Sequence, residues 1–178
     1  MPQPSSPHCS GPSSKAGHNP FMSSTEKVLR YKRSRFSTQL PDARIYTRSH
    51  YWIRRDETCV WQIGLTKFAT RMLGDLVEFE LTPALGDRIE TGQQIGWIEG
   101  FKAVSDVYAV ASGEYAGPNE SLAKDITLLE YDPYGAGWLY SVNTEREPDG
   151  VNVHEYVHVL DATIDRMLAS RREGDPNA

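Results

Sequence analysis

Apolar and polar positions alternate along much of the chain beyond residue 44. His50-Tyr-Trp-Ile-Arg-Arg55 and Thr58-Cys-Val-Trp-Gln-Ile-Gly64 read as strands parted by Asp56 and Glu57. Val77, Phe79 and Leu81 alternate with Glu78 and Glu80, the pattern of a strand with one wet face. One stretch breaks the period: Leu65, Phe68, Ala69, Met72 and Leu73 fall at i, i+3, i+4, i+7 and i+8. That spacing predicts a short amphipathic helix, N-capped by Thr66 and stopped by Gly74. Gly86-Asp87, Thr91-Gly92, Ser112-Gly113 and the Gly135 to Gly137 segment punctuate further short strands. Residues 44–145 therefore predict a mainly β fold, a sandwich or barrel of short antiparallel strands. Val157, Leu160, Ile164, Met167 and Leu168 lie near one face of a C-terminal helix, with Asp161, Asp165, Arg166 and Arg171 elsewhere. The first 21 residues are mostly Ser, Pro, Gly, His and Asn without apolar periodicity. Such a stretch cannot bury enough surface to offset the entropy of ordering. The expected organisation is a disordered tail over 1–40, one domain over 41–170, and a disordered end over 171–178.

Composition changes this picture in two ways. The chain's 178 residues suit one domain, and no apolar run approaches the roughly 20 residues of a membrane helix. The net charge of −5 is also uneven: up to Pro41 there are six basic residues and one acid, which leaves 13 basic and 23 acidic residues beyond it. A body at −10 repels nucleic acid and suits docking on basic partner surfaces. Cys9 and Cys59 are the only cysteines, which fits a reducing compartment. No secretory h-region is present, and the Ser-rich, acid-poor stretch to Arg35 lacks any arginine before Arg30. A cytoplasmic monomer is expected, with the mitochondrial matrix as the alternative location and Met22 as an alternative start.

The stretch from Gly96 to Gly113 carries the candidate chemistry. Strand-like runs over 95–101 and 106–111 flank Lys102 with room only for a tight turn, which puts the amine at a protruding tip. Such a lysine can be acylated by another enzyme or can be an ordinary solvated side chain, and this window alone leaves both open.

The wider sequence resembles the H proteins of the glycine cleavage system, a family of lipoyl carriers. Ser49-His-Tyr-Trp-Ile53 is similar to that family's Ser/Glu-His-Glu-Trp-Val run, and Val60-Trp-Gln-Ile-Gly-Leu-Thr66 to its Gly-Ile-Thr strand. Leu73-Gly-Asp-Leu-Val-Glu-Phe-Glu-Leu81, Gly86-Asp-Arg-Ile-Glu-Thr-Gly92 and Glu99-Gly-Phe-Lys-Ala-Val-Ser-Asp-Val-Tyr108 resemble three further segments. Leu129-Glu-Tyr-Asp-Pro-Tyr-Gly-Ala-Gly-Trp-Leu139 is similar to the family's Asp-Pro-Tyr-Gly-x-Gly-Trp-Leu signature. Phe101 and Ala103 flank the lysine where biotin carriers have Met.

The resemblance implies a lipoyl-type β-sandwich with a short internal helix and a C-terminal helix, and lipoate on Lys102. It implies a carrier, not an enzyme, that takes an aminomethyl group from glycine decarboxylase (P-protein) to aminomethyltransferase (T-protein). Dihydrolipoyl dehydrogenase (L-protein) then reoxidises it, and a lipoate ligase or octanoyltransferase installs the cofactor. By the same resemblance Ser49, His50, Asp106 and position 51 lie near the loaded arm, while Glu99, Ala103 and Gly113 shape recognition by lipoylating enzymes. Two departures bear on this. Tyr51 stands where the family has Glu, removing a charge-assisted hydrogen bond worth about 1.5–3 kcal/mol. Gly100 and Val110 replace the usual Ser and Pro. An H-like lipoyl carrier serving a lipoyl relay or sulfur metabolism, or a non-lipoylated scaffold, are the alternatives. A remoter one is a zinc hydrolase, since His154-Glu-Tyr-Val-His158 fits H-E-x-x-H, although only 20 residues follow to supply a third ligand.

Overall fold

The computed structural model describes residues 26–173. In chain order its elements are β1 (Val28–Arg33), β2 (Phe36–Pro41), β3 (Ile45–Tyr46), β4 (Tyr51–Arg55), β5 (Trp61–Leu65), α1 (Lys67–Leu73), β6 (Leu76–Leu81) and β7 (Arg88–Ile89). Then follow β8 (Gln94–Gly100), β9 (Ala103–Tyr108), β10 (Gly113–Pro118), a 3-10 turn (Glu120–Ala123), α2 (Leu128–Tyr131), β11 (Trp138–Asn143) and α3 (Val153–Glu173). The pairings are antiparallel: a six-stranded sheet ordered β3-β4-β5-β11-β10-β7, a three-stranded sheet β6-β8-β9, and the β1-β2 hairpin. This is the mainly β sandwich that the alternation predicts.

Two clusters of buried side chains follow from strand alternation. Ile53, Ile63, Tyr115 and Val142 of the larger sheet meet Leu76, Ile95, Ile98 and Val107 of the smaller one between the layers. Tyr46 and Trp52 point the other way, into a second cluster with Phe68 of α1, Tyr156 and Leu160 of α3, and Tyr31 and Leu40 of the hairpin. The β3-β4 end of the sheet is thus covered on both faces, which explains the unbroken apolar run Tyr51-Trp-Ile53.

Trp52 also organises the Asp-Pro-Tyr-Gly loop. Three successive loop carbonyls accept from one cluster: Pro133 from Trp52 Nε1 at 2.8 Å, Tyr134 from Arg44 Nη2 at 3.2 Å, and Gly135 from Arg54 Nη2 at 3.4 Å. Both guanidiniums lie about one ring's width from the Trp52 face, at 5.5 and 5.6 Å. The signature loop is held by these side chains against the larger sheet.

Three boundaries differ from expectation. Residues 28–41 form the β1-β2 hairpin instead of continuing a disordered tail; the expectation for residues 1–25 lies outside the described residues. The reason is long-range: Tyr31 and Leu40 are buried in the second cluster, and Arg33 pairs with Asp161 and Asp165 of α3. Residues 171–173 prolong α3, and 174–178 lie outside the described residues. The strand after the lysine starts at Ala103, not at 106, so the turn is shorter than the apolar pattern suggested.

Candidate functional site

β8 and β9 close on the Gly100–Ala103 pair, leaving Phe101 and Lys102 as a two-residue tip. The tip is anchored to the end of α1: the Lys102 N–H donates to the Leu73 carbonyl at 2.9 Å and the Phe101 N–H to the Asp75 carbonyl at 3.0 Å. α1 itself is built as its sequence predicts. Thr66 Oγ1 accepts the Ala69 N–H at its start, and Gly74 ends it at a φ of 80° that favours glycine. A Cβ at Gly74 would stand 2.9 Å from Lys102 Cγ, so the missing side chain leaves room for the aliphatic stem of the lysine. Lys102 is exposed, and beside it Phe101 and Val104 are 81% and 64% exposed. The tip therefore presents an amine on an apolar, protruding rim.

The outward face of the three-stranded sheet is acidic. Glu78 and Glu99 are directly paired, as are Glu80 with Trp97 and Trp97 with Asp106. Like charges in such a pair oppose folding, so the sheet carries this face at a cost. The Asp106 carboxylate accepts from Gln94 Nε2 at 2.7 Å and from the Tyr108 hydroxyl at 3.2 Å. Ala103 is the first residue after the tip, paired with Gly100. Gly113 lies in the other sheet, where a Cβ would meet the Asn143 carbonyl at 2.6 Å; close packing of β10 on β11 accounts for it.

The Ser49-His50-Tyr51 run splits three ways. Ser49 Oγ meets Thr47 Oγ1 at 3.0 Å at the exposed β3-β4 turn. His50, with a left-handed φ of 66°, turns toward α3: its Nδ1 meets the Tyr156 hydroxyl at 2.9 Å and its ring packs on Phe68 at 4.6 Å. Burial, with the nearby Arg166 charge, lowers the His50 pKa to about 4, so the ring is neutral at ordinary pH. The same Tyr156 hydroxyl meets Thr66 Oγ1 at 3.0 Å. Tyr156 passes one proton along the chain in either direction, according to the His50 tautomer, and both orders tie the start of α1 to α3. Tyr51 is 5% exposed and lies in the inter-sheet core, its hydroxyl accepting the Tyr108 N–H at 3.4 Å. Burial raises its pKa. Tyr51 thus bonds to the backbone of Tyr108, whose side chain holds Asp106, while His50 faces the opposite side of the sheet. Tyr156 is the member of this group that its sequence position did not reveal, because its role rests on a contact 106 residues away from His50.

The H-E-x-x-H segment has other work. The Glu155 carboxylate accepts the Asn152 N–H at 3.1 Å while Asn152 Oδ1 accepts from the His154 and Glu155 N–H groups at 3.0 Å, a reciprocal cap at the start of α3. Among the described residues no three of His, Cys, Asp and Glu gather as a metal site would, and the zinc-hydrolase alternative is not favoured.

Among described residues no helix is long and apolar enough to cross a membrane. The glycine cleavage H-protein family model matches residues 44–162. A glycine cleavage system H protein of Rubrobacter xylanophilus is 39% identical over 123 residues, 69% of this chain and 96% of the relative. A probable glycine cleavage system H protein of Natronomonas pharaonis is 44% identical over 109 residues, 61% of this chain and 85% of the relative. The crystal structure of a glycine cleavage system H protein from Mycobacterium marinum superposes with a TM-score of 0.60 at 34% identity, covering 67% of this chain and 97% of that one. Shared sandwich, shared sequence over most of the domain, and a lysine held at the tip of its hairpin lead to one conclusion: the chain belongs to the glycine cleavage H-protein family.

Proposed function

We propose that this protein is the lipoyl carrier of the glycine cleavage system, with lipoate in amide linkage to Nζ of Lys102. The carrying observation is the anchored, exposed tip: a two-residue turn whose backbone is fixed to α1 while its amine projects into solvent. The residues present fit the group, since an amide needs an accessible amine and the tip supplies one. When bound, lipoate supplies the disulfide sulfur that takes up the aminomethyl group and the pair of electrons.

The chain's own contribution is position and surface. Lys102 sits at the C-terminal end of α1 and His50 at its N-terminal end, where the His50 carbonyl accepts the Thr66 N–H at 3.0 Å. A seven-residue helix spans roughly 10 Å, and an extended lysyl-lipoyl arm reaches on the order of 14 Å. The Ser49-His50 turn thus lies within the length that a lipoyl group held by Lys102 would span, and the exposed tip would leave the same group free to enter a partner's active site. The carboxylates of Glu99 and Asp106 on the outer sheet face favour an ammonium near the tip. In this reading the protein has no active site of its own. Its partners are glycine decarboxylase, aminomethyltransferase, dihydrolipoyl dehydrogenase, and the ligase or octanoyltransferase that reads Glu99, Ala103 and Gly113. It works as a monomer in the cytoplasm.

The test is glycine-dependent loading. Lipoylated protein with glycine decarboxylase and labelled glycine should acquire label, and Lys102→Arg should acquire none. A lipoylated protein that glycine decarboxylase leaves unlabelled overturns the glycine cleavage assignment.

A further inference from the structure

The β1-β2 hairpin lies ahead of residues 44–162, the part that matches the family. Its inner face is fully occupied. Tyr31 and Leu40 are buried, Phe36 meets Phe68 edge-on at 5.4 Å, and Arg33 reaches Asp161 at 3.0 Å and Asp165 at 2.7 Å. Its outer face is different. Arg30 and Lys32 project from β1 opposite the neutral Gln39 and Ser37, Arg35 sits in the turn, and Lys27 precedes the strand. All four are exposed, and none has an acidic partner among the described residues. A chain whose remainder carries −10 does not lack carboxylates to place there. It provides two for Arg33 and none for these four.

The hairpin also touches the helix that holds the tip. The Arg71 guanidinium of α1 lies over the Phe36 ring at 5.6 Å. Three residues on, α1 ends at the Leu73 carbonyl and Gly74 that hold Lys102, roughly 4.5 Å further along the axis. We infer that the outer face of the hairpin is a docking surface for a carboxylate-rich patch on an enzyme that works on Lys102; this rests on the carrier reading above. A protein partner fits better than a phosphate polymer or an anionic membrane. The exposed carboxylates of Glu78, Glu80 and Asp106 on the sheet that carries Lys102 repel a uniformly anionic surface, whereas a protein can present acids to the hairpin and bases to the sheet.

The experiment uses the full lipoylated chain and the triple variant Arg30→Glu, Lys32→Glu, Arg35→Glu. Carrier KM and kcat are measured with glycine decarboxylase, aminomethyltransferase and dihydrolipoyl dehydrogenase, and with a lipoate ligase for the unmodified form. Salt is set at about 50 and about 300 mM to vary screening. At low salt the variant should raise KM about tenfold or more with at least one enzyme, leave kcat within about twofold, and lose most of that difference at high salt. Its melting curve should match the wild type, because the replaced side chains are exposed, and the swap Arg30→Lys, Lys32→Arg, Arg35→Lys should restore KM. KM within about twofold for every enzyme overturns the inference. So does an unchanged KM joined to lost retention on heparin or anionic vesicles, which assigns the face to nucleic acid or membrane, or to loss of a salt-sensitive dimer, which assigns it to a second copy. A wild type that none of the enzymes accepts refutes the carrier reading itself, and the inference with it.

Discussion

Gly100→Ala isolates the contact that sets the lysine's position. Gly100 is buried, ends β8, and pairs with Leu76 on one side and Ala103 on the other. Its backbone conformation suits any residue, so the only obstacle to a side chain is space. A Cβ there would stand 2.4 Å from the Leu73 carbonyl oxygen, about 1 Å inside the closest ordinary C···O approach. That oxygen is a backbone atom and already accepts the Lys102 N–H at 2.9 Å, so it cannot rotate away. Either the end of α1 or the end of β8 has to shift. Overpacking of this kind costs about 1–3 kcal/mol, and loosening the tip hydrogen bond adds about 0.5–1.5 kcal/mol. A total of about 1.5–4.5 kcal/mol corresponds to a melting temperature lowered by about 3–18 °C in a domain of this size. Circular dichroism melting gives the first number, and the initial rate of lipoylation by a lipoate ligase reports on the tip. Both should fall together. A variant that melts within about 1 °C of wild type and is lipoylated at the same rate refutes the claim that α1 positions the lysine.

Other outcomes follow from the same geometry. His50 is neutral in the fold with a pKa near 4 and titrates near 6.5 when unfolded, so the unfolded chain binds the extra proton between those values. Stability should therefore fall as pH drops from 6.5 to 4, by about 3 kcal/mol in all. His50→Asn, which keeps a residue tolerant of left-handed φ, should flatten that part of a urea-stability profile, and an unchanged slope would remove His50 as its source. Asp161→Ala deletes the partner of both the Tyr31 hydroxyl and Arg33 Nη1; limited proteolysis should then cut the β1-β2 turn faster than in wild type, and equal rates would mean the hairpin is held by its apolar face alone. His158 is exposed, so His158→Ala should change stability by less than about 0.5 kcal/mol and leave lipoylation intact; loss of either would return a role to the H-E-x-x-H segment.

Local signals made the domain legible where neighbours in sequence are neighbours in space. The capped helix from Thr66 to Gly74 forms as its spacing predicts, and the β8-β9 tip follows from two strand-like runs with little between them. Legibility failed where the deciding contact was distant. The β1-β2 hairpin is basic and lacks its own core, so its composition reads as tail; its order comes from burial of Tyr31 and Leu40 against α3 and from the pairing of Arg33 with Asp161 and Asp165, more than 120 residues on. By resemblance Tyr51 is a substitution beside the arm, yet the double coverage of β4 buries Tyr51, Trp52 and Ile53 alike. Alternation cannot assign faces in a run that is buried on both. Resemblance groups Ser49 and His50 with Asp106, whereas the structure sets His50 against α3 and Asp106 on the outer sheet. Gly100, where the family has Ser, gains its reason only from the Leu73 carbonyl that faces it.

Intact mass spectrometry with peptide mapping reads directly whether Lys102 is the attachment point of the cofactor. Protein expressed with lipoate and a lipoate ligase should gain the mass of a single lipoyl group, mapped to the peptide bearing Lys102, and Lys102→Arg should show no gain. Wild-type protein that stays unmodified under conditions that fully lipoylate another H protein, or that carries the group on a different lysine, would remove Lys102 as the attachment point.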